Sequence, residues 1–166
     1  LVRQAAQRWF PSASAAACLL AAAGIAGGSQ VYYLLLRPSV YEYAILCGAA
    51  FVLLALWQWL CAANTPVQHH GKIMLHMALG SLCMALVAGC RPQMELFAFL
   101  AVPIFWPRYI GQKRLRNRAG AGEAAAFLLP VVLVAAGLMW YNAARFGSPF
   151  DFGANYNPVS YTHLTL

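Results

Sequence analysis

From Val40 to Ala62 the chain runs 23 residues with a single formal charge, Glu42. As a helix with a rise of 1.5 Å per residue, such a run reaches about 34 Å, enough to cross the hydrocarbon core of a bilayer. Four more apolar runs flank it, giving expected spans at residues 15–36, 40–62, 73–90, 93–107 and 123–142. Of the 166 residues, 62% are hydrophobic and 9% charged, where soluble domains usually carry about 25% charged residues. Water could not solvate so much apolar side chain on a chain this short, whereas lipid can. The expected fold is all-α, a polytopic transmembrane helix bundle of about five spans. It is expected to be one membrane domain over residues 1–157, with no separate soluble domain.

The run boundaries carry local signals. Ser39-Val40-Tyr41-Glu42 fits a capping box, with Pro38 just before it, so a helix is expected to start at Val40. Asn64-Thr65-Pro66 ends it. Gly24 and Gly28 have the small-xxx-small spacing that allows close helix packing, and the same glycines could instead loosen the first run and set Tyr32–Leu36 apart. The fourth run is short and contains Pro103. It reads either as a short span with Arg91 and Arg108 snorkelling at its ends or as a re-entrant segment. Pro130 marks a kink in the fifth run, and Gly147 and Pro149 mark its end.

The net charge of +7 does not signal nucleic acid, because the basic residues punctuate apolar runs rather than forming a polar, aromatic-interleaved module. Placing the N-terminus in the cytoplasm and alternating leaves eight basic residues inside: Arg3, Arg8, Lys72, Arg108, Lys113, Arg114, Arg116 and Arg118. Three remain outside: Arg37, Arg91 and Arg145. That bias follows the positive-inside rule and fits a multi-pass protein of a bacterial inner membrane, with lipid as a partner. Trp9, Trp57, Trp59 and Trp106 then fall at inner ends, and Tyr32, Tyr33, Tyr41, Trp140 and Tyr141 at outer ends, as interfacial aromatics do. The five cysteines show no paired spacing and read as small buried thiols. His69, His70 and His76 do not make a metal site, since adjacent histidines diverge and the acids of the sequence are expected on the other face. No cofactor site is identified, and the residues give no support for a divalent metal.

The three outside arginines sit in polar breaks: Arg37-Pro38, Arg91-Pro92-Gln93 and Arg145-Phe146-Gly147-Ser148-Pro149. Glu42, Glu95 and Asp151 lie toward the same side. Arginine donates in parallel to two oxygens of a phosphate, and a neighbouring carboxylate can take a proton, so such a set suits a lipid phosphate near the interface. The substrate-binding candidates are Arg37, Arg91, Gln93, Arg145 and Asp151. Five of the charged residues on this side have simpler readings: Glu42 as a capping acid, Arg91 as a snorkelling helix end, Arg145 and Glu95 as charges complementing helix dipoles, and Asp151 as a turn residue.

Three stretches together carry a resemblance. They are Tyr32-Tyr33-Leu34-Leu35-Leu36-Arg37-Pro38-Ser39-Val40-Tyr41-Glu42, then Gly89-Cys90-Arg91-Pro92-Gln93, then Tyr141-Asn142-Ala143-Ala144-Arg145-Phe146-Gly147-Ser148-Pro149-Phe150-Asp151-Phe152-Gly153. Over about Val31 to Asn157 the chain resembles bacterial polytopic membrane proteins that look like glycosyltransferases of the GT-C class, related in organisation to protein mannosyltransferases. The resemblance implies a polyprenyl-phosphate-linked sugar donor used at the non-cytoplasmic face. It also implies an essential acid in a first outer loop, expected upstream of Leu1, so that the catalytic base is not among these residues. Two other classes fit the same arginines: a transporter or lipid-carrier flippase, and a non-catalytic membrane scaffold. The chain reads as an internal fragment, and residues 158–166 as an adapter-derived tail.

Overall fold

The structure, a computed structural model, describes residues 1–29, 31–36, 39–112 and 114–151. Arg37 and the expected tail lie outside the described residues. The described chain is all-helical, and four of its helical stretches are long and apolar enough to cross a membrane: Ala15–Leu36, Val40–Asn64, His70–Cys90 and Arg118–Phe146. Four candidate spans of this kind suggest a multi-pass membrane protein. Two compact units are present, Leu1–Val131 and Val132 onward.

A short helix, α1 (Val2–Trp9), opens the first unit. Then α2 (Ala15–Gly28) starts on Ser14, whose hydroxyl accepts from the Ala17 amide at 3.1 Å. It stops after Gly27-Gly28, where Ser29 turns extended, and α3 (Val31–Leu36) follows as a separate turn and a half. Among the described residues, a Cβ on Gly24, Gly27 or Gly28 would meet nothing within 4 Å.

The next two helices form the core. Helix α4 (Val40–Asn64) begins on the expected capping box: the Ser39 hydroxyl accepts from the Glu42 amide, and the Glu42 carboxylate accepts from the Ser39 amide at 3.1 Å. Helix α5 (His70–Cys90) returns alongside it. Their contact centres on Trp59, 1% exposed, whose indole N–H donates to the Ser81 hydroxyl at 3.4 Å. Gly80 makes room for it. An added Cβ there would lie 2.7 Å from the indole nitrogen, so an alanine would displace the ring. Trp59 is thus a core residue and not an interfacial anchor. Trp9, Trp57 and Trp106 remain exposed enough for that role, at 43–54%.

The fourth run is helical, but it is not one of the four long helices. Its backbone changes type twice: a 3-10 stretch Pro92–Leu100, then α6 (Ala101–Trp106), then a π turn Pro107–Gly111. Pro92 and Pro107 stand at the junctions and Pro103 lies inside α6. Each proline removes an amide donor, so no single hydrogen-bond register can run the length of the segment. Phe105 and Tyr109 nevertheless reach the core, Phe105 edge-on to Trp59 at 6.2 Å and Tyr109 edge-on to Phe105 at 5.8 Å.

After a 3-10 turn at Arg114–Arg116 comes α7 (Arg118–Phe146), which continues through Pro130. In the first unit its early turns bring Phe127 within 5.4 Å of the Trp59 ring centre. In the second unit it ends on Gly147, whose φ of 75° is the left-handed conformation glycine adopts readily. The Gly147 amide donates back to the Ala143 carbonyl at 3.0 Å.

Candidate functional site

Polar chemistry in the first unit gathers at the two ends of the α4–α5 pair. At the α4 C-terminus the last carbonyls have no partner within the helix. Two arginines from remote segments supply donors. Arg108 donates through Nη1 to the Ala62 carbonyl at 2.8 Å and through Nη2 to the Thr65 carbonyl. Arg8 donates to the Ile104 carbonyl and, at 3.5 Å, to the Ala63 carbonyl. Gln4, one turn before Arg8 and so on the same side of α1, donates to the Cys61 sulfur at 3.0 Å. Two cations at a helix C-terminus also oppose its negative dipole end.

Beside this clamp lies Glu123, fully buried. Both of its oxygens are occupied. Arg114 grips it bidentately, Nη2 to Oε1 at 2.7 Å and Nε to Oε2 at 2.9 Å. The Tyr109 hydroxyl donates to Oε2 at 2.6 Å, and His70 Nδ1 stands 3.0 Å from Oε1. The same Nδ1 lies 3.1 Å from Arg114 Nη2, so the imidazole stands against both members of the Arg114–Glu123 pair. Burial, and then the Glu123 carboxylate, push the Tyr109 hydroxyl well above the ordinary tyrosine range, which keeps it a donor. The Glu123 hydrogen bond raises Arg114 above the usual arginine value. No group of metal-ligand type collects here or elsewhere among the described residues.

Glu123 is the acid that the sequence reading left aside, and His70 lies against it rather than apart from all acids. The signal available was its spacing from Arg114, nine residues, at the mouth of an apolar run. Tyr109, 14 residues away, and His70, 53 away, gave no local sign.

The opposite end holds two of the outside candidates. Arg91 caps α5, its amide donating to Val87 at 2.8 Å. Its guanidinium donates to the Tyr41 carbonyl at 3.1 Å and sits 5.7 Å from the Tyr41 ring centre. Its Nε is buried with no partner. One turn on, within the 3-10 stretch, Glu95 also has a buried oxygen, Oε1, with no partner. Gln93 lies between them, exposed to the surroundings.

In the second unit, Arg145 donates to the Tyr141 hydroxyl at 2.7 Å and stacks 5.2 Å from the Phe146 ring centre. The Asp151 amide donates to the Ser148 carbonyl at 3.3 Å, closing the turn after Pro149. Of the five substrate-binding candidates, then, Arg91 and Gln93 share one helix end, Arg145 and Asp151 belong to the second unit, and Arg37 lies outside the described residues. Compared with protein-family models, with curated proteins and with solved structures, the chain matches none.

Proposed function

We propose that this chain is part of an integral membrane glycosyltransferase of GT-C type, which takes sugar from a polyprenyl phosphate at the non-cytoplasmic face. In this reading Arg91 receives the donor phosphate, with Gln93 beside it. The catalytic base comes from elsewhere in the full-length protein. The observation that carries the reading is the state of Arg91. Tyr41 holds its guanidinium by carbonyl and ring, while its buried Nε has no acceptor. A buried charged donor without a partner is costly, and a phosphate oxygen is the kind of acceptor that would relieve it. The motif resemblance supplies the reaction class.

The test uses the full-length protein in proteoliposomes supplied with polyprenyl-phosphate sugar. Arg91→Lys keeps the charge and loses the fork. The expected loss in kcat/KM corresponds to about 1.5–3 kcal/mol, or roughly 10- to 150-fold, at normal protein level. Wild-type turnover by Arg91→Lys would leave Arg91 a helix cap and nothing more. Movement of the intact lipid carrier across the bilayer without release of sugar would replace the enzyme reading by a flippase.

A further inference from the structure

Along the outside of the first unit, α6, the π turn after it and the early turns of α7 leave a cleft of about 420 Å³. Its walls are almost entirely apolar and include Met77, Phe105, Trp106, Tyr109, Phe127 and Leu128. A helix about 10 Å across fills roughly 1,300 Å³ over three turns, so this cleft does not accommodate one. It lies in the range that takes a small apolar ligand.

One end of the cleft meets the densest basic stretch of the chain. Leu115 lines the cleft and stands between Arg114 and Arg116, and Arg118 begins α7 two residues later. These cations are not equivalent. Arg108 is committed to the α4 carbonyls and Arg114 to Glu123. Arg116 and Arg118 are exposed, and among the described residues they have no hydrogen-bond or ion-pair partner. The segment that borders this apolar slot at Leu115 thus also carries two uncommitted guanidinium groups.

We propose that this cleft is a binding site for an anionic glycerophospholipid of the bilayer, with an acyl chain in the slot and the phosphate on Arg116 and Arg118. The site lies at the opposite end of the α4–α5 pair from Arg91 and does not depend on the glycosyltransferase reading. Basic pockets at the edge of transmembrane helices recognise acidic headgroups, each arginine contributing about fivefold in affinity. Two should give a preference of roughly 25-fold over a zwitterionic lipid of the same chains.

Trp106 lines the cleft and reports on it. The full chain is reconstituted in phosphatidylcholine vesicles, and brominated-chain phosphatidylglycerol or brominated-chain phosphatidylcholine is added stepwise. The fluorescence lost in Trp106→Phe isolates the signal of that indole. Phosphatidylglycerol should quench it at roughly 25-fold lower mole fraction than phosphatidylcholine. In the Arg116→Gln, Arg118→Gln double variant the preference should fall to near unity, with phosphatidylcholine quenching unchanged. Both side chains are exposed, so the double variant should keep the wild-type helical circular dichroism. Equal quenching by the two lipids in the wild type would mean ordinary annular lipid and would overturn the proposal. So would a preference that survives the double variant, or a Trp106 that neither lipid reaches.

Discussion

The two ends of the α4–α5 pair treat buried charge in opposite ways. Around Glu123, both carboxylate oxygens are filled by Arg114, Tyr109 and His70, and the neighbouring Arg8 and Arg108 are spent on helix carbonyls. The unmatched buried atom on that side is neutral, the amide oxygen of Gln4. Around Arg91, the unmatched atoms belong to ionisable groups, Arg91 Nε and Glu95 Oε1. A satisfied network rigidifies, whereas a half-satisfied one costs free energy and persists where something else uses it. The first end therefore reads as a structural lock, and the second as the place to look for a ligand.

The sharpest way to break this comparison is to remove the acid at each end. Glu123→Ala strands Arg114 and Tyr109 in a buried setting. The expected cost is about 3–5 kcal/mol, seen as a large fall in unfolding temperature in detergent. Glu95→Ala removes an oxygen that already lacks a partner, and should shift the same transition by less than about 0.5 kcal/mol. If the two substitutions cost the same, the distinction between lock and open end is lost. A smaller effect is expected from Arg108→Ala, which uncaps the Ala62 and Thr65 carbonyls. Losing charged hydrogen bonds of this kind costs about 1.5–3 kcal/mol. Faster amide exchange should also appear near Thr65 and leave the Val40 end of the same helix unchanged. Exchange that speeds up equally along α4 would show that Arg108 supports the whole helix and not its terminus. The smallest effect belongs to Glu42→Gln. Glutamine can also reach back to the Ser39 amide, so stability and turnover should stay within about 0.5 kcal/mol of wild type. A loss of turnover at normal protein level would move Glu42 out of the cap and into the site beside Arg91.

What the sequence made legible follows from range. The Val40 start, the Gly147 stop and the apolar stretches of α4 and α5 depend on residues within four or so positions of one another, and they stand as read. The charge pairing of Glu123 depends on three segments meeting in space, and no local pattern records that. Trp59 shows the same limit. A tryptophan near the end of an apolar run suits either a headgroup belt or a core, and Gly80 on another helix decides between them. The fourth run was ambiguous for a different reason. Length and hydropathy do not register a change of hydrogen-bond register, though the prolines at 92, 103 and 107 cause one. Of the candidate site, the position of Arg91 at a helix end was legible, while its hold on Tyr41, 50 residues earlier, was not.

The arginine clamp on α4 also sets a timetable. Arg108 follows Ala62 by 46 residues, and Arg8 precedes its Ile104 partner by 96. At synthesis rates of roughly 5–20 residues per second, the end of α4 leaves the ribosome about 2–9 s before its principal donor does. During that interval Thr65 and Arg8 already supply donors to the Cys61, Ala62 and Ala63 carbonyls, and what is missing is the Arg108 fork on Ala62 and Thr65. A chain halted after Cys90 and before Arg108 would be an intermediate in which α4 and α5 can pair but the Arg108 contacts cannot form.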